Sequence, residues 1–119
     1  MQDTTRLLAI EEIKQLKARY FRAVDTKDAA LFRSILTDDV VLDYRGSASD
    51  PKSGINAVPS STEARAQGIW SMIDRLRPTE PGLFHEMIGW GHYHETYEKV
   101  DGEWKIKTLR LSRLRVDIL

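Results

Sequence analysis

The chain contains no cysteine, which removes disulfide frameworks, zinc–thiolate sites and thiol nucleophiles from consideration. It has no surplus of either charge, since 18 basic and 18 acidic residues cancel to a formal net charge of zero. Proteins that bind nucleic acid or an anionic membrane surface usually carry a basic excess, so neither partner is expected. No apolar run approaches the roughly 20 residues needed to cross a bilayer, and the N-terminus MQDTTRLLAIEEI lacks the continuous apolar core of a signal peptide. No internal repeat or low-complexity tract is evident. These absences predict a cytoplasmic protein. Its 119 residues form a single domain, 1–119, large enough to bury most of its apolar surface without cross-links.

The first half of the sequence is helical in pattern. Residues 4–25 read as a long helix: Asp3 or Thr4 can cap it, and Glu11 and Glu12 sit early, where they favour the N-terminal dipole. Ile13, Leu16, Tyr20 and Val24 follow at spacings of three, four and four, so they share one stripe. A second helix over 28–36 starts at Asp28 and carries Leu31, Phe32, Ile35 and Leu36. The pattern then changes to VVLDY, a short strand, followed by a Gly/Ser/Pro-rich loop from about 46 to 61.

The second half alternates with period two. ARAQGIWSMIDRLR places Ala66, Gly68, Trp70, Met72, Asp74 and Leu76 on one side. EMIGWGHYHETYEKV and EWKIKTLRLSRLRVDIL flank Asp101-Gly102, a strong hairpin turn signal. Apolar parity shifts from Trp104 and Ile106 to Leu109 and Leu111, which predicts a β-bulge near Thr108 and a curved sheet. Helices followed by consecutive strands imply an α+β fold: a curved antiparallel sheet packed with N-terminal helices into a cone with an internal pocket.

Two sets of residues compete for the chemistry. In GWGHYHETYEK, His92, His94 and Glu98 share a face and could ligate a metal such as zinc or iron, in the manner of a cupin's first motif. A cupin needs a fourth ligand further along, whereas the remaining histidine, His85, lies upstream. A polar outer face is the simpler reading of the three. The other set is polar groups on apolar faces. Tyr20 lies in the helix stripe, so its hydroxyl points inward and needs a partner. Asp25 follows near the helix C-terminus, where the dipole disfavours an anion. Asp74 shares a face with Trp70 and Met72, and a carboxylate there is costly unless paired or functional. Such groups can serve general acid–base catalysis, or can be a core hydroxyl, a helix stop and a salt bridge.

At this level the sequence resembles a family. The blocks IKQLKARYFRAVDTKDAALFRSILTDDVVLDYRG, GIWSMIDRL and GHYHETYEKVDGEWKIKTLRLSRLRVD are similar to the SnoaL-like branch of the nuclear-transport-factor-2-like superfamily, across nearly all of the chain except 50–65. The resemblance implies the cone fold, a dimer or trimer, and a small hydrophobic ligand. Its members include dehydratases and a dehydrochlorinase that eliminate water or hydrogen chloride with no cofactor and no metal, together with cyclases, isomerases and proteins without known activity. It implies that Tyr20 is directed at a leaving oxygen, that Asp25 orients a catalytic histidine, and that Asp74 is an acid of the pocket. Tyr93 matches an aromatic pocket residue, which turns Gly89 and Gly91 inward and His92, His94 and Glu98 outward. Tyr44, Trp70, Met72, Leu111 and Arg113 complete the expected substrate lining.

One element of the family pattern is missing. The strand that carries the basic histidine should precede GIW, but only INAVPSSTEAR separates Gly54 from Ala66. Loss of an internal strand would bare ladder groups and core, so the sequence is expected to close over a segment missing near 55–65. The expectation is a cofactor-independent lyase or isomerase acting on a hydrophobic, oxygenated small molecule. A non-catalytic small-molecule-binding or assembly domain of the same fold is the alternative, ahead of a metalloprotein.

Overall fold

A computed structural model describes residues 2–44, 64–80, 82 and 85–119. Helix α1 spans Asp3–Thr26, α2 spans Ala29–Ser34, and the strands are β1 Leu36–Asp43, β2 Arg65–Leu76, β3 Met87–Val100 and β4 Glu103–Ile118. All but the last two residues of the junction expected near 55–65 lie outside the described residues, as does the whole Gly/Ser/Pro-rich loop of about 46–61. Among the described residues no helix is long and apolar enough to cross a membrane.

The residue at the N-cap of α1 is Gln2, with no side-chain cap, and Asp3 sits in the first turn beside the dipole's positive end. At the other end Lys27 adopts φ 55°, its N–H reaching the Val24 carbonyl and that of Asp28 reaching Ala23. This pair of bonds is a Schellman stop, which glycine fills at the lowest steric cost. Lys27→Gly is therefore expected to raise stability by about 0.5–1 kcal/mol, read as a shift in urea midpoint at unchanged slope. The Asp28 side chain then caps α2 by accepting from the Leu31 N–H. That helix ends at Ser34, two residues before the predicted end, because Leu36 already pairs with β4.

The sheet order is β1-β4-β3-β2. Pairs β2–β3 and β3–β4 are antiparallel, whereas β1 joins β4 in parallel, so the sheet is mixed. The β3–β4 turn places both Asp101 and Gly102 at positive φ, the type I′ geometry that Asp-Gly favours. Pairing moves from Thr96↔Thr108 to Tyr97↔Ile106, leaving Lys107 as an extra residue at the bulge that the parity change predicted. A second shift, between Trp90↔Arg115 and Gly91↔Arg113, bends β4 again at Leu114.

The core lies between α1 and the inner sheet face. It gathers Ile13, Leu16 and Tyr20 with Ile35, Leu36, Tyr97, Trp104, Ile106 and Leu109. Val24, predicted in the same stripe, is 47 % exposed. A stripe position needs a surface opposite it to be buried, and among the described residues the last turn of α1 has none for Val24.

Candidate functional site

Because opposed residues on antiparallel strands share a face, the strand pairing lays out the inner surface as rows. Ala66–Tyr97–Ile106, Gly68–Glu95–Leu109 and Trp70–Tyr93–Leu111 cross β2, β3 and β4 in turn, followed by Met72–Gly91–Arg113 and Asp74–Gly89–Val116. Odd residues of β3 thus face the core, as expected from Tyr93. The even residues His92, His94 and Glu98 lie on the outer face.

Two polar clusters occupy the inner rows. In the first, the Lys17 ammonium donates to Glu95 Oε2 at 2.9 Å, with the two side chains 2 % and 0 % exposed. The Tyr97 hydroxyl donates to Glu95 Oε1 at 2.8 Å and receives the Trp70 indole N–H at 2.6 Å. The Lys17 Nζ also lies 3.6 Å from the ring centroid of Tyr93 and 4.0 Å from that of Tyr20, a cation–π geometry that helps hold a buried charge. Burial pulls the Lys17 ammonium below the ordinary lysine range, and Glu95 opposes that pull.

The second cluster adjoins it. The Tyr20 and Tyr44 hydroxyls are 2.8 Å apart, and the rings of Tyr20 and Tyr93 meet edge-on with centroids separated by 5.7 Å. Further along the sheet Arg113 grips Asp74 through two N–H···O bonds of 2.6 and 2.8 Å. This fork crosses directly over Gly89, where an added Cβ would collide with both the guanidinium and the carboxylate. At Gly91 a Cβ would strike the Ser112 carbonyl. Both glycines are therefore set by close approach, one of side chains and one of backbone.

Burial pushes all four tyrosines of the chain above the ordinary value of 10.0: Tyr20 furthest, then Tyr97, with Tyr44 and Tyr93 also raised. A phenol whose folded pKa is raised stabilises the fold below pH 10.0 and loses that contribution as the pH climbs toward the folded value. Lys17, with its folded pKa lowered, acts oppositely, adding stability as the pH rises to 10.5. The expected result is that tyrosinate absorbance at 295 nm stays flat through pH 10 and then rises in one steep step, together with loss of far-UV circular dichroism. A gradual one-proton curve centred at 10 in the folded protein would contradict the burial of these phenols.

Tyr20, Tyr44 and Tyr93 come together, Met72 and Leu111 are buried on the same inner face, and Asp74 pairs with Arg113. Asp25 is exposed at the end of α1 and makes no hydrogen bond or ion pair among the described residues. Trp70 lies at the far side of the Tyr97 chain and lines a separate cleft of about 600 Å³ between the N-terminal half of α1 and β2. Lys17 and Glu95 were not predicted. Their signals were present: Lys17 lies four residues beyond Ile13 on the stripe, and Glu95 shares the parity of Tyr93.

On the outer face, the His92 and His94 ring centroids are 6.3 Å apart, His94 Nε2 bonds the Ser112 hydroxyl at 3.0 Å, and Glu98 accepts from Lys107 at 3.2 Å. Burial and then the neighbouring Arg110 and His92 depress His94. Among the described residues no three histidine or carboxylate groups gather as a metal site.

Comparison with known proteins places this arrangement. A family model described as SnoaL-like domain matches residues 5–65 and 55–110. A scytalone dehydratase-like protein of Novosphingobium aromaticivorans superposes with a TM-score of 0.81 at 18 % identity, covering 99 % of this chain and 92 % of that one. The hexachlorocyclohexane dehydrochlorinase LinA-type3 of Novosphingobium barchaimii gives 0.78 at 18 % identity, covering 99 % and 94 %. A Mycobacterium tuberculosis protein of unknown function gives 0.69 at 20 % identity, covering 92 % and 74 %. At such identities the likeness is one of fold.

Proposed function

The chain belongs to the SnoaL-like domain family, and from that premise we propose a cofactor-independent lyase or isomerase acting by acid–base chemistry on a hydrophobic, oxygenated small molecule. The observation that carries this reading is the buried Tyr20 phenol, bonded to Tyr44 and flanked by Tyr93, on the inner face that also presents Asp74 and Arg113. Two structural relatives named for elimination reactions support it.

In an elimination, a base removes the proton alpha to a carbonyl, the C–H electrons form the new double bond, and the C–O bond breaks. Tyr20, kept protonated by burial, would donate its proton so that hydroxide departs as water. Asp74, bonded through both oxygens to Arg113, would act as the orienter, fixing the guanidinium that faces the substrate oxygen, and not as the second acid. The base would be a histidine ordered by Asp25 and carried on the segment proposed to be missing near 55–65. An intact mass well above the 13.7 kDa of this sequence is the expected result for the natural protein, and a mass of that value removes the segment and its base. Turnover of hydroxylated carbonyl substrates without added metal or cofactor, in the parent and in Tyr20→Phe, tests the chemistry itself.

A second reading, a non-catalytic binding or assembly domain, is favoured by a specific observation. The space around Tyr20 is packed with the rings of Phe21, Phe32 and Tyr93, and Asp25 stands without a partner among the described residues. In either reading self-association would use the outer sheet face, where Ile69 and Ile73 are 69 % and 67 % exposed.

A further inference from the structure

The cleft between α1 and β2 lies at the opposite end of the helix from Tyr20 and Asp25, and no step of the elimination chemistry uses it. Its floor is aromatic and apolar, built from Trp70, Trp104, Ile13 and Ala66. The polar atoms of that floor are already committed: the Trp70 indole donates to Tyr97, Tyr97 donates to Glu95, and Glu95 holds Lys17. Gly68 packs closely on that chain of bonds, since a Cβ there would lie 3.2 Å from the Tyr97 hydroxyl and 3.4 Å from the Trp70 indole nitrogen.

The rim has one sign of charge. Arg6 and Lys14 line the α1 side of the cleft and Arg65 touches its β2 edge from the outer-face row that it shares with Glu98; no carboxylate is among the described lining residues, although the chain as a whole is neutral. All three are exposed and make no ion pair among the described residues, unlike Lys17 one turn along the same helix. A cleft of about 600 Å³ falls within the size range of small-molecule sites.

We propose that this cleft binds a hydrophobic carboxylate, its ring system against Trp70 and Trp104 and its carboxyl group at the α1 rim formed by Arg6 and Lys14. A neutral ligand would gain the floor but leave Arg6 and Lys14 partnered by solvent alone. An anion gains both, and the preference is electrostatic and sensitive to salt. This site stands whether or not Tyr20 takes part in catalysis.

The three tryptophans of the chain supply the test, because Trp70 and Trp104 line the cleft while Trp90 lies on the outer face. The full-length, 15N-labelled protein is titrated with 2-naphthylacetate and with its neutral counterpart 2-naphthylethanol, following the three indole N–H cross-peaks. The expected result is a saturable shift of the Trp70 and Trp104 peaks with Trp90 still, and binding of the alcohol at least about tenfold weaker. The double variant Arg6→Gln/Lys14→Gln, altered only at exposed positions, should bring the carboxylate down to the affinity of the alcohol and leave the alcohol unchanged. Equal affinities in the parent, shifts centred on Trp90, or no saturable shift because the chain's own residues fill the cleft would each overturn the proposal.

Discussion

Glu95→Ala is expected to lower the unfolding free energy by about 3–5 kcal/mol, the usual cost of removing one member of a buried ion pair. Both partners are almost inaccessible, and Glu95 accepts from Tyr97 as well as from Lys17. Its loss leaves an ammonium among aromatic rings with no counter-charge, and leaves a buried phenol without its acceptor. Against a total stability of about 5–15 kcal/mol, that is a change that urea denaturation reads directly. The double replacement Lys17→Met/Glu95→Leu separates two explanations. If the single variant suffers from a stranded charge, removing both charges should recover most of the loss, since apolar replacements of buried pairs are often neutral or better. A Glu95→Ala loss below about 1 kcal/mol, the scale of an exposed pair, would show that water reaches the pair.

Tyr20→Phe is expected to lower turnover by about 10²–10⁴-fold, the range for removing a positioned general acid. The stability change should be near 1 kcal/mol, because the variant keeps the ring in the core and loses the bond to Tyr44. Asp25→Asn should likewise depress turnover and barely move the melting temperature, since Asp25 is exposed and unpaired among the described residues. The measurements are kcat on an identified substrate and a urea midpoint on the same preparations. Turnover of Tyr20→Phe at the parent rate would leave the binding-domain reading as the one supported.

Much of the fold was legible because local chemistry dictates it. A 3.6-residue stripe marks α1, the Asp101-Gly102 pair marks a type I′ turn, and the parity change in the last strand marks the bulge at Lys107. The inward face of β3 was also legible, through Tyr93. The parallel pairing of β1 with β4 was not, because the partners lie far apart in sequence and no local pattern names a strand's neighbour.

The sequence by itself determined the helix and strand periods, the family, and the face on which each strand residue lies. Only the tertiary structure decided which charged groups are buried and with whom. Lys17 and Glu95 are 78 positions apart, and although stripe and parity turn both inward, neither local segment names the other as its partner. The same holds for Asp74, whose partner Arg113 reaches it across Gly89. Periodicity states which way a side chain points. Whether it meets water, a ring or an opposite charge depends on the surface that folding brings to face it.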